Sequence, residues 1–504
     1  MSITPSIDYI YRLCINLIIR MKPVKALCLL CYILCLSVQA FAQQDSSVAP
    51  PRKDSVFIVA PPADTASIAY IAGISFYGND KTKSYILQRE LGFKQGDYVE
   101  AKDLPQKLVE ARQQLINTSL FINVDVHVEN KFGELVFITI NVKERWYLFP
   151  LPYFKLADRN FNTWLVTYNA SLQRVNYGIK FIHNNFSGRN DKMNLWLITG
   201  YTRQAAFKYE RPYANKSLTT GYNIYFNYGS QRELNYGSSQ SKQIFFKQDN
   251  FVRKSVRAEV DYVYRPAIRT RHIVRFSFYH DEVSDTVLKL NPNYFSGARS
   301  VVNYPEIGYS IQYRGADYFA YPTTGLNAEV SIAHKGFGIS GVNLTQLNFT
   351  GSYAQPIAKN DVLLLQAGGI LKLPFNQPFY TKTLFGYGGA NIFLQGMEYY
   401  VIDGVAGGVG RATWRHRLLQ FNLKAPEKLK KDISIPFSFF AKIYGNMGYA
   451  YDKYPGNALF NNKFLYSYGF GVDIVAVYDL VFKFDYSFNQ LGENGFFFHV
   501  RTDF

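Results

Sequence analysis

The chain has 504 residues, 48% of them hydrophobic and 17% aromatic, with 40 Tyr and 41 Phe against 4 Trp and 5 Met. Mean hydropathy is only −0.13, so polar residues dilute the apolar ones evenly, and beyond the start no uninterrupted apolar run reaches the roughly 18 residues a spanning helix needs. The formal charge of +17 would suit nucleic acid, but the export signal described next argues against that partner and for anionic lipid headgroups or acidic proteins.

From Met21 the sequence reads MKPVKALCLLCYILCLSVQAFAQQ. Lys22 and Lys25 form a basic start, Ala26 to Val38 an apolar core, and Ala40-Phe41-Ala42 a small-x-small cleavage site, so residues 1–42 are expected to be a signal peptide with its true start at Met21. The rival, a membrane anchor, has a core short for a span. Cys14, Cys28, Cys31 and Cys35 all precede the cut, which leaves the mature chain no disulfide or thiolate site and about +14 of the charge. Residues 43–68 hold two Pro-Pro pairs among Ser, Asp and Ala and read as a disordered linker.

Residues 69–146 read β-α-α-β-β. YIAGISFYGND is a strand ending at the Gly78-Asn79 turn signal, and TKSYILQREL has helical spacing. GFKQGDYVEAKD is read as loop, and LPQKLVEARQQLINT as a second helix with Leu104, Leu108, Ala111 and Leu115 on one stripe. FINVDVHVEN then alternates, with Ile122, Val124, Val126 and Val128 opposite Asn123, Asp125, His127 and Glu129, and ELVFITINVKE alternates again. One small α+β domain fits.

From 150 to 504 alternation replaces helical spacing. VRAEVDYVY sets Val256, Ala258, Val260 and Tyr262 against Arg257, Glu259 and Asp261; LVFKFDYSF sets Phe482, Phe484, Tyr486 and Phe488 against Lys483, Asp485 and Ser487. A soluble sandwich with its apolar face inside and a membrane barrel with its apolar face outside both fit that pattern. The aromatic load, suited to membrane girdles, selects the barrel. At roughly 22 residues per strand and loop, about 16 antiparallel strands are expected. The terminal FFFHVRTDF is its closing strand: Phe496, Phe498, Val500 and Phe504 face lipid, while Arg501 and Asp503 face the lumen.

These residues resemble a known family. GISFYGNDKTK and LINTSLFINVDV resemble the first strand and the helix-to-strand signature of a POTRA domain; FKYERPY, YPTTGLNAEV and GYGGANIFLQGMEYY resemble the recurring patterns of the BamA/TamA-like surface-antigen barrel. The resemblance implies an all-β transmembrane barrel in the bacterial outer membrane with one periplasmic POTRA-like domain. It also implies assembly or translocation of other outer-membrane components. Outer-membrane lipids, unfolded outer-membrane protein clients and periplasmic or lipoprotein assembly factors would be its partners, with no cofactor, no enzymatic step and no nucleic acid.

The resemblance further implies client capture along the POTRA edge at Phe121, Asn123, Val124, Asp125 and Val126. It implies a seam where the first barrel strand, expected near Trp164 to Leu172, meets the last, whose Phe496, Phe498, Val500 and Phe504 also form a sorting signal. In the family the sixth extracellular loop carries Arg-Gly and folds back to face an Asp in an aromatic-x-Asp-x-Gly pattern. Here the loop has Gln395-Gly396-Met397-Glu398, and YGNMG puts Asn446 in the Asp position before Gly448. A lone buried charge costs several kcal/mol, so with both charges replaced a neutral Gln395–Asn446 hydrogen bond is expected. The missing charges and the single POTRA unit both depart from the main insertase and suggest a specialised relative.

No catalytic, cofactor or metal site is predicted. The seven His form no HExxH, and His280, Asp281 and Glu282, adjacent on a strand, would point to opposite faces. AGGVGRA at 406–412 lacks a βαβ context and is read as a barrel turn. The alternative functions are a porin-like channel, a barrel exporting a lipid or surface component, and a membrane enzyme.

Overall fold

The computed structural model describes residues 68–156, 169, 171, 174–248, 250–387, 394–424, 434–476 and 479–500. The expected signal peptide, nearly all of the linker, and Arg501, Asp503 and Phe504 lie outside the described residues.

Alternating segments form strands, and the strands form two principal sheets. The first belongs to the POTRA-like domain: β1 (Ile68–Tyr77), α1 (Ser84–Glu90), β2 (Tyr98–Glu100), α2 (Leu104–Asn117), β3 (Phe121–Phe132) and β4 (Leu135–Glu144). Its order is β2-β1-β4-β3, with β1 and β4 parallel. The short β2 falls in the stretch read as loop; three residues are too few to show a period. Helix α2 buries Leu104, Leu108, Ala111 and Leu115, the expected stripe, against Ile71, Phe121, Val136 and Ile138 of the sheet. Full burial of each large side chain stabilises the domain by about 1.5–3 kcal/mol. Gly78 turns the chain at φ +80°, where a Cβ would lie 2.0 Å from the Val142 carbonyl oxygen.

The remaining elements are β5 (Leu148–Leu156), β6 (Val175–Asn184), β7 (Lys192–Gly200), β8 (Thr202–Arg211), β9 (Thr220–Gln231), β10 (Glu233–Ser239), β11 (Lys242–Lys247), β12 (Arg253–Tyr264), β13 (Thr270–Val283), α3 (Asp285–Leu290), β14 (Val301–Arg314), β15 (Gly325–Lys335), β16 (Leu344–Ala358), β17 (Asp361–Leu373), α4 (Phe379–Lys382), β18 (Thr383–Phe385), β19 (Ile402–Asp403), β20 (Ala406–Lys424), β21 (Ser434–Tyr451), β22 (Phe464–Val475), β23 (Val481–Asn489) and β24 (Asn494–Val500). Sixteen of these strands form one antiparallel sheet running from β5 to β24, while β10–β11 and β18–β19 form separate hairpins in loops. Most of Trp164–Leu172, the expected first strand, lies outside the described residues; among the described residues the sheet begins at β5. AGGVGRA is strand rather than turn, paired on both sides within β20.

The sheet is inside out relative to a soluble protein. Val260 and Tyr262 are about half exposed, at 52% and 50%, while Glu259 and Asp261 between them are buried at 9% and 3%. Asp485 and Ser487 are likewise fully buried, and Phe496, Phe498 and Val500 are exposed. Exposed apolar and buried polar faces on the same strands describe a transmembrane barrel with a polar lumen. No helix among the described residues is long and apolar enough to cross a membrane. Short turns lie at the POTRA end. At the other end α3, the β10–β11 hairpin and the β17–β20 connection pack as a cap around Tyr294, Phe295, Tyr304 and Tyr380. The Tyr380 hydroxyl donates to Asp281 at 2.5 Å, and Asp281 also pairs with Arg253.

Candidate functional site

The sixth connection at the capped end, between β17 and β20, enters the lumen. Gln395 and Asn446 are both buried there, but the expected hydrogen bond between them does not form. Gln395 Nε2 donates to Asp485 Oδ2 at 2.9 Å. Asn446 accepts from Arg411 Nε at 2.6 Å and donates to Ser467 Oγ at 3.0 Å. The wall carboxylate is therefore present, as Asp485 on β23, and its cation comes from the wall: Lys442 Nζ lies 2.5 Å from Asp485 and 2.6 Å from Asp473.

The local sequence explains this pairing. Lys442 on β21 is in register with Gly471 on β22, and Gly471 with Asp485 on β23. A Cβ at 471 would fall 2.7 Å from Asp485 Oδ1 and 3.1 Å from Lys442 Cε, so the missing side chain is the gap through which they meet. The arrangement repeats two residues along, where the Tyr444 hydroxyl crosses Gly469 to reach Ser487 Oγ at 2.7 Å. Gly396 has φ +85°, and a Cβ there would stand 3.0 Å from Ser487 Cβ. Its carbonyl accepts from Asn489 at 3.0 Å. Met397 is buried in an apolar cluster that the loop forms with Ala450, Phe460 and Leu465, and Leu394 packs by Gly448.

The same loop reaches the last strand. Glu398 Oε1 lies 3.4 Å from His499 Nε2 of β24, and the Tyr400 hydroxyl donates to Glu493 at 2.7 Å. Strands β5 and β24 are the two ends of the sheet, and among the described residues no ladder joins them. Pro150 and Pro152 of β5 fall within an unbroken register with β6. Their missing donors therefore face the open edge, where proline is tolerated. The described residues of β24 contain no proline. The two prolines obscure the strand pattern of β5 in the sequence.

In the POTRA-like domain β3 is an edge strand, paired among the described residues to β4 alone. Phe121, Val124 and Val126 point into the core, Asn123 is exposed, and Asp125 is partly buried. The expected alternation breaks at Ile122, because a bulge between Phe121 and Asn123 puts Phe121 rather than Ile122 in the core. The edge is partly occupied: Arg112 of α2 donates to the Val124 carbonyl at 2.9 Å.

Among the described residues the domain docks on five barrel turns. Asn185 after β6 donates to Thr82 Oγ1 at 2.8 Å, and Lys83 N to the Gly188 carbonyl at 2.9 Å. Tyr213 after β8 is buried in the domain's own core. Arg265 after β12 binds Glu90 with two contacts of 2.7 Å, both side chains buried. Asn117 donates to the Ala316 and Asp317 carbonyls after β14, each at 3.2 Å. Arg145 pairs with Asp479 after β22 at 2.9 Å. One small domain thus touches turns near both ends of the sixteen-stranded sheet. Burial alone would raise the Glu90 carboxyl, but the Arg265 guanidinium and the Tyr213 hydroxyl hold it below its ordinary value. Arg145, Tyr318 and Ser119 do the same for Asp479 against its burial.

His280, Asp281 and Glu282 diverge, to Asn303, Arg253 and Lys254 respectively.

Residues 69–145 match the family model described as surface antigen variable number repeat, the POTRA domain, and residues 185–400 match the Omp85 superfamily domain. The chain thus carries an Omp85 superfamily domain behind a POTRA domain. Among solved structures, CdiB from Escherichia coli matches with 10% identity over 86% of this chain and 76% of that one, at a TM-score of 0.52. BamA from Haemophilus ducreyi lacking POTRA domains 1–3 matches with 16% identity over 86% and 84%, at 0.48. At such identities the CdiB likeness shows the fold alone. No curated protein matches by sequence.

Proposed function

We propose that this protein assembles or translocates other outer-membrane components, with the POTRA domain in the periplasm and client strands entering at the seam. The observation that carries this reading is the state of β5 and β24. They share no ladder among the described residues, while loop residues 394–400 occupy the lumen beside them. A client leaving through the seam keeps its backbone groups paired as it meets lipid. The seam is unequal. Pro150 and Pro152 deprive β5 of donors at its open edge, so an incoming strand pairs first with β24. The β3 edge, beyond the carbonyl that Arg112 occupies, receives the client by backbone pairing, which tolerates any sequence.

Photocrosslinkers at positions 123, 127 and 129, exposed in living cells, test the reading. Nascent barrel chains trapped there support it. Their absence, together with steady conductance in planar bilayers before and after deletion of 70–146, would instead identify a channel.

A further inference from the structure

Strands β20 and β21 outrun their neighbours at the POTRA end. The last pair between β17 and β20 is Asp361 with His416, and β22 begins its pairing with β21 at Ser438. Beyond His416 only β21 flanks β20, and beyond Ser438, which still pairs with Val475 of β22, the β20–β21 hairpin continues alone to Lys424 and Ser434, about 13 Å along the strand at about 3.3 Å per residue.

Its outer face stays apolar. On β21, Ile443, Met447 and Tyr449 are exposed outward, and Lys442, Tyr444 and Asn446 are buried inward. The same parity puts Phe437 and Phe439 outward. On β20 the outward residue is Trp414 while Thr413 and Arg415 are buried, so simple alternation would present His416 and Leu418 and then, past the end of β17, Gln420 and Asn422. A bulge between Arg417 and Leu419 prevents this. After it Leu419 pairs with Phe439 and Phe421 with Phe437, and Phe421 stacks on Phe437 and Phe439 at 5.8 and 5.9 Å. Leu418, Leu419 and Phe421 are exposed at 55%, 47% and 40%.

We infer that this projecting face is a lipid-contacting blade, seated in the headgroup–acyl boundary of the leaflet on the POTRA side. It is continuous with the barrel's lipid-facing surface, and the bulge retains that continuity where the alternation would have lost it. Edge pairing to another strand fits less well: the bulge distorts the β20 edge, and Pro436 removes a donor from β21. Apolar side chains at a barrel rim partition to the membrane boundary.

Depth-dependent quenching tests this in the full chain with Cys14, Cys28, Cys31 and Cys35 replaced by Ser. Leu419→Cys, Phe421→Cys, Gln420→Cys and Ile443→Cys each carry an environment-sensitive fluorophore in phosphatidylcholine vesicles that contain acyl chains with a shallow nitroxide. Positions 419 and 421 are expected to be quenched about as strongly as 443 and several-fold more than 420. Quenching at 419 and 421 no greater than at 420 overturns the inference. So does protection of those positions by crosslinking to a second copy or to a client strand.

Discussion

Gly471 stands between Lys442 and Asp485 on three adjacent strands. Alanine there would bring a Cβ within 2.2 Å of the Phe484 carbonyl oxygen and into the line of the ion pair. Separating a buried pair costs about 3–5 kcal/mol, so Gly471→Ala is expected to lower the urea midpoint of the full chain refolded in detergent micelles. Lys442→Ala should cost a similar amount, because Asp485 then keeps only the Gln395 amide. Adding Gln395→Arg to Lys442→Ala should restore much of the loss, since the loop side chain already reaches Asp485. A double-mutant cycle without that recovery would show that a loop cation cannot replace the wall lysine. The sequence pattern placed Asp485 and Ser487 on the polar face. It could not reveal their partners, because Asn446 and Asp485 both face the lumen, and only the register of three strands shows which one Gln395 meets.

Elements were legible where the period was clean. The alternation of β12, β23 and β24 and the stripe of α2 were readable because one face of each is largely apolar. The edges were harder, since a bulge changes parity by one residue, and neither the shift at Phe121 nor the one at Leu418 leaves a sequence signal. Strand β5 was hidden by its prolines, which are informative once its place at the open edge is known. The β3 edge carries two predictions. Val126→Pro is expected to reduce crosslinking of client strands at 123 and 127 severalfold, with thermal unfolding of the same protein showing whether the domain keeps its fold. Arg112→Ala frees the Val124 carbonyl and is expected to raise crosslinking at 123; an unchanged yield would mean that this carbonyl is not part of the client's path.

Across the whole molecule, the POTRA domain and the barrel are joined by side chains whose charge state can be varied. Glu90 and Asp479 both have carboxyls held below their ordinary values of 4.5 and 3.8, each against the opposing effect of burial. A lowered pKa in the docked state means that docking is stabilised fully above the ordinary value and loses that stabilisation as pH falls through the lowered one. The Asp317 carboxyl, raised by burial, is held by Thr323 and Thr324 of its own turn; that residue meets the domain through its backbone carbonyl, which does not titrate. Protection of α1 and of the 265–269 turn from hydrogen exchange is therefore expected to be level from about pH 8 to about pH 5 and to fall steeply below about pH 4. Glu90→Gln removes the charge but keeps the shape, leaving Arg265 buried without its counter-ion, and should lose protection at every pH, by up to about 3–5 kcal/mol in opening free energy. Protection that falls near pH 6, or that survives Glu90→Gln unchanged, would move the latch away from Glu90 and Arg265. In that case the packing of Tyr213 in the domain's core would be the contact that holds the domain on the barrel turns.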